Sequence, residues 1–218
     1  MPTLFRLSIF VAFLNAFPFA NAVANPNNDS LSNPLASFSP LWNSKAYNAC
    51  NTAANADYMT PNEKKIIWIL NMVRLNPKLF LQTVLLNPKN KKYQKKETRN
   101  YYFNSLITDL KKLQPNTRLL LPDSLMFTSA HCHAYHGGLV GYIGHDRSFS
   151  GCQSAFYGEC CEYGNDEPIN VLLNLLIDEG ISSLGHRKVC LEPAFQSLGV
   201  SMQPHKRYGI NTVMDFNY

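Results

Sequence analysis

Residues 60–63 read Thr-Pro-Asn-Glu, and no other stretch restricts the fold as tightly. A threonine followed three residues later by glutamate forms a capping box, each side chain satisfying the other residue's backbone N–H, and proline at the first helical position has no N–H to leave unpaired. The helix that starts here carries Ile66, Ile67, Ile69, Leu70 and Val73. It must stop before Asn76-Pro77, because proline crowds the helical conformation of the residue preceding it. The same Asn-Pro pair opens a second helix from Pro77 to Leu86, closed by Asn87-Pro88. Tyr101 to Leu113 is amphipathic, with Leu106, Ile107, Leu110 and Leu113 on one face. Leu121-Pro122-Asp123 then opens a helix to about Tyr135, ended by Gly137-Gly138. After residue 155 the pattern changes. Phe156 to Tyr163 predicts a strand, Asp166-Glu167-Pro168 caps a helix to about Glu179, and Gly180 ends it. Phe195–Gln203 and Tyr208–Phe216 predict two strands joined by the polar turn 204–207. Helices early and strands late, with one helix between strands, predict an α+β fold.

The chain has 218 residues, 45% of them hydrophobic, enough for one core that needs no covalent staples, yet it carries six cysteines. Residues 4–20 explain them: one basic residue (Arg6), a short apolar run, then small residues at Ala20, Ala22 and Ala24. This pattern is that of a secretory signal peptide over residues 1–24, and it is too short, and too interrupted by Asn15 and Pro18, to anchor the chain in a bilayer. The mature chain is expected to be secreted, extracellular or periplasmic, with no transmembrane segment. In an oxidising compartment some of Cys50, Cys132, Cys152, Cys160, Cys161 and Cys190 pair, though spacing does not choose the partners. Adjacent Cys160 and Cys161 on a strand point to opposite faces and need different partners.

The net charge of +5 is concentrated in one run, Lys89, Lys91, Lys92, Lys95, Lys96 and Arg99, with Glu97 its only acid. A nucleic-acid surface would interleave such residues with stacking aromatics, so the run reads as a solvated loop and no nucleic-acid partner is expected. Residues 25–58, rich in Asn, Ser, Pro and Ala, read as a flexible or loosely docked leader to a domain spanning 59–218. Asn28-Asp29-Ser30 is a glycosylation sequon.

Titratable residues sit beside glycines in Gly144-His145-Asp146-Arg147, Gly158-Glu159-Cys160 and Gly185-His186-Arg187. There the backbone can turn sharply and present them to a cavity, and imidazoles with carboxylates from separate loops are the donors of a divalent-metal or acid–base site. His131, His133 and His136 have no acid nearby in sequence and read as helix-surface residues. Neither HExxH nor GxSxG occurs.

The segments 69–77 (ILNMVRLNP), 129–134 (SAHCHA), 144–147 (GHDR), 158–159 (GE), 185–188 (GHRK) and 198–200 (LGV) follow one another in an order that resembles the CAP superfamily of cysteine-rich secretory, antigen-five and pathogenesis-related proteins. The resemblance covers residues 60–218 and leans to the bacterial SCP-like branch. It implies an α-β-α sandwich, a small and mainly antiparallel sheet between helical layers, with a shallow cavity lined by two histidines and two acids that hold a divalent cation in several members. Carried over by motif, the metal set is His145, Glu159, Asp178 and His186, with Glu162 and Glu179 competing for the place of Asp178. Two asparagines of the pattern are replaced, by Cys160 and by Val189, the latter followed by Cys190. A disulfide from Cys190 to Cys160 or Cys161 is expected to replace their bracing. The resemblance implies a secreted protein whose cavity binds zinc or another divalent cation, or a small apolar, lipid-like ligand, and which acts by binding a partner protein. The rival expectation is a metal-assisted hydrolase in which Glu159 is the general base. A structural cell-surface module is the third.

Overall fold

The computed structural model describes residues 32–94, 97–153 and 156–218, so the signal-peptide region, the sequon, Lys95 and Lys96 lie outside the described residues, as do the side chains of 92–100. The order is α1 (Lys45–Asn48), α2 (Pro61–Leu75), α3 (Pro77–Phe80) running on into a π-helical turn (Leu81–Leu85), α4 (Glu97–Lys112), β1 (Leu121–Pro122), α5 (Ser124–Val140), β2 (Gly158–Tyr163), α6 (Pro168–Ile177), α7 (Gly185–Leu191), β3 (Ser197–His205) and β4 (Gly209–Asn217). The capping box opens α2 as expected, Thr60 Oγ1 accepting from the Glu63 N–H and Glu63 Oε2 from the Thr60 N–H.

The four strands form one sheet in the order β1-β3-β4-β2, with β1 parallel to β3 and the other pairs antiparallel. The register aligns Glu159 with Asp215 and Asp215 with Gly199. Because strand side chains alternate, Glu159, Cys161, Val213, Asp215, Gly199 and Ser201 share one face. That face receives α5: Ala130 and Ala134 pack with Cys161 and Val213. The opposite face, with Cys160, Leu198, Val200, Met214 and Phe216, joins the main core made with α2 and α6. The architecture is the α+β, α-β-α sandwich that the resemblance implies.

Two glycines let α5 lie against the sheet. A Cβ at Gly199 would stand 1.9 Å from the Phe127 nitrogen, and one at Gly138 would stand 2.1 Å from the Pro204 carbonyl oxygen. Gly137-Gly138 therefore does not end the helix, contrary to the sequence expectation; α5 runs on to Val140 and stops at Gly141, whose φ is 73°. The leader expectation also needs correction over its described part. Leu35, Trp42 and Cys50 are fully buried, Trp42 Nε1 donates to Thr83 Oγ1 at 3.0 Å, and Asn71 Nδ2 donates to the Cys50 carbonyl at 3.2 Å. The leader's apolar residues show no period, but Leu35 and Trp42 are large buried anchors, and the Asn33 and Asn71 amides donate to the Trp42 and Cys50 carbonyls. The domain thus takes in chain from well before residue 59.

Candidate functional site

Glu159 stands at the centre of a buried network on the α5 face of β2. Its Oε1 pairs with His145 Nδ1 at 2.7 Å and its Oε2 with His133 Nδ1 at 3.0 Å, while Arg147 Nη2 forms an ion pair with Oε2. The same Nη2 reaches Asp215 Oδ2 at 2.9 Å, and Ser129 Oγ donates to Asp215 Oδ2 at 2.6 Å. Burial pushes Glu159 up, but the hydrogen bonds from His133, His145 and Arg147 outweigh it and hold the carboxyl well below the usual range. Asp215 goes the other way: burial lifts it to about 7 against the pull of Arg147. One guanidinium serves two buried carboxylates, and Glu159, with two imidazoles besides, keeps the charge. His145 is raised, mainly by its hydrogen bond to Glu159. An ionised carboxylate only accepts, so the imidazoles of His133 and His145 carry their protons on Nδ1.

The second half of the site comes from α6 and α7. Asp178 closes α6 in the left-handed region (φ 58°), which aims its carboxylate at the start of α7. Its Oδ2 accepts from the His186 N–H at 3.0 Å and its Oδ1 pairs with His186 Nδ1 at 2.7 Å. Arg187 locks α7 in place, donating to the Leu176 and Ile177 carbonyls at 2.6 and 2.9 Å and to Asp109 at 2.8 Å. The rings of His145 and His186 then lie 5.6 Å apart, centre to centre. A cavity of about 230 Å³ opens beside His186 and Asp178, bordered also by Glu162, Tyr163, Asn174 and Tyr208.

All four sequence-predicted site residues therefore converge. Of the competing acids, Asp178 pairs with His186, whereas Glu162 Oε1 accepts from Asn165 and Asn174 at 2.5 and 3.0 Å. Glu179 borders the cavity. The surface reading holds for His131, which is exposed, and is wrong for His133, 2% exposed and bound to Glu159. Its acid lies 26 residues further on, beyond any local pattern. Arg147 and Asp215 were not foreseen as members of the network; only the strand register brings Asp215 opposite Glu159.

The cysteines divide differently from expectation. Cys132 and Cys152 form a disulfide. Of the two partners expected for Cys190, Cys160 approaches it, but the two are separate thiols with sulfurs 3.9 Å apart, and Cys161 is a free thiol as well. Cys160 sits on the core face and Cys190 on the buried side of α7, and that geometry brings them together without bonding them.

Two groups of described residues place metal-competent donor atoms within 4.8 Å of one another: His133, Glu159 and Cys161, and Cys132, His136 and Cys152. In the second the two sulfurs are bonded to each other. Compared with family models, with curated proteins and with solved structures, the chain matches none.

Proposed function

We propose that this chain is a secreted CAP-type domain that binds a divalent cation, zinc in particular, between His145 and His186, and that it acts through binding rather than through turnover. The observation that carries the reading is the pairing of each histidine with its own carboxylate through Nδ1, His145 with Glu159 and His186 with Asp178. That pattern fixes ring and tautomer and leaves each Nε2 lone pair for a metal. The spacing agrees. A Zn–N bond of about 2.05 Å puts the metal about 3.2 Å from each ring centre, and a near-tetrahedral angle then separates the centres by about 5.2 Å; the rings stand 5.6 Å apart. Glu159 and Asp178 thus orient the ligands rather than join them. A bound zinc would supply Lewis acidity and a firm link between α7 and the loop that carries His145.

Against the hydrolase reading stands Glu159 itself. A general base near neutral pH needs a carboxyl with proton affinity to spare, and this one is held well below the usual range by three donors. The cavity beside His186 is also the natural seat for a small organic ligand or for a partner's side chain. Calorimetric titration with zinc tests the reading. We expect one cation per chain in the unaltered protein and none in the His145→Ala/His186→Ala double variant with its circular dichroism unchanged; equal binding by both proteins overturns the assignment.

A further inference from the structure

The Nδ1 edge of His145 faces a sulfur as well as a carboxylate. Cys161 lies two residues after Glu159 on the same face of β2, and its Sγ stands 3.7 Å from His145 Nδ1. We propose that Cys161, His145 and Glu159 form a second metal position, selective for thiophilic d10 cations softer than zinc, such as Cd2+ and Cu+. The donors are those such ions favour: a thiolate, an imidazole and one carboxylate oxygen. The spacing fits too. With a metal–sulfur bond of about 2.3 Å and a metal–nitrogen bond of about 2.05 Å, the S···N edge of a tetrahedral shell is about 3.6 Å, close to the observed 3.7 Å. The Nδ1···Oε1 separation of 2.7 Å is a hydrogen bond; it opens to about 3.3 Å when the metal takes the proton's place.

The surroundings suit a cation. Cys161, Glu159 and His133 already hold their donor atoms within 4.8 Å of one another, and His133 with Arg147 fixes Oε2, so that Oε1 stays aimed at His145. Burial first, then the nearby Glu159 and Asp215 carboxyls, push the Cys161 thiol up. A metal ion reverses that penalty. The His145 side chain is half exposed, at 52%, and gives solvent access to an otherwise buried cluster. On binding, the S–H bond breaks, the sulfur–metal bond forms and the thiol proton leaves to solvent; the Nδ1 proton of His145 passes by way of solvent to Nε2. No oxidant or reductant takes part.

This position shares His145 with the proposed function but uses the opposite ring nitrogen, and it needs neither His186 nor Asp178. Cadmium titration followed by the ultraviolet thiolate-to-cadmium charge-transfer band separates the two. The band should saturate at one cadmium per chain in the unaltered protein, persist in His186→Ala and in Cys190→Ser, and vanish in Cys161→Ser, with affinity lowered by at least about tenfold. Persistence of the band in Cys161→Ser, its loss in Cys190→Ser, or cadmium binding with no band overturns the proposal. Should Cys161→Ser not fold, cadmium-113 NMR of the unaltered protein decides. A shift typical of one sulfur with nitrogen and oxygen donors supports the position, and a shift typical of two sulfurs or of none refutes it.

Discussion

Replacing Arg147 by methionine removes the only guanidinium between two buried carboxylates while keeping a long apolar side chain in place. Glu159 and Asp215 are 9% and 0% exposed, and Arg147 itself is 5% exposed. Breaking a buried ion pair by deleting one partner costs about 3–5 kcal/mol, because the remaining charge stays buried without compensation. Here the low end applies: His133 and His145 still face Glu159, and Asp215, already lifted to about 7, can take up a proton. A loss of about 3 kcal/mol in a domain of this size lowers Tm by about 6–12 °C. The deficit also depends on pH, and its sign is fixed. Glu159 in the unaltered protein is depressed, so its stabilisation is present above the ordinary carboxylate range and is lost only as pH falls through its low folded value. Without Arg147 the carboxyls protonate at higher pH and their penalty disappears sooner. The difference between the two proteins should therefore narrow as pH is lowered from about 8 toward about 5. Thermal melts by circular dichroism across that range, with Arg147→Met/Asp215→Asn as a partial rescue, test the argument. A loss below about 1 kcal/mol, or a deficit that does not change with pH, refutes the view that Arg147 neutralises both acids.

Asp178→Asn keeps the shape but removes the charge that orients His186, so zinc affinity should drop about 10- to 100-fold with the fold intact, measured by calorimetry. Exposure to a mild disulfide oxidant should join Cys160 to Cys190, whose sulfurs are 3.9 Å apart, and peptide mapping under non-reducing conditions should recover that pair and none with Cys161. Gly199→Ala drives a methyl to 1.9 Å from the backbone of α5, which can yield only by moving the helix. Its cost should reach about 3 kcal/mol, the upper end of ordinary overpacking, read from denaturant midpoints.

What could be read from the sequence was local. The capping box at Thr60 and the Asn-Pro stops are satisfied within a few residues, and α2 and α3 follow them. Alternation in the last strands carried the sheet, and glycine-flanked His145, Glu159 and His186 marked the two carboxylate–histidine pairs. What escaped was settled across distance. Glu63, half of the capping box, also accepts from the Met202 N–H at 2.7 Å, a tie between α2 and β3 that no helix pattern announces. His133 was hidden by the distance to its acid, and Gly138 looked like a helix terminator although it is a contact surface. Helix α7 is too short to show periodicity; it stands because Asp178 receives its first N–H groups and Arg187 ties it to the carbonyls of α6. The leader from residue 32 on lacks any period, and its order rests on single anchors such as Trp42.

The central claim is that two carboxylate-oriented histidines hold one cation. Crystals of the protein grown with zinc, measured on both sides of the zinc absorption edge, test it most directly. The account predicts an anomalous peak bonded to Nε2 of both His145 and His186, with Glu159 and Asp178 still paired to the Nδ1 atoms. A peak that avoids either histidine, or zinc bound directly by the carboxylates with the Nδ1 pairings broken, would contradict it.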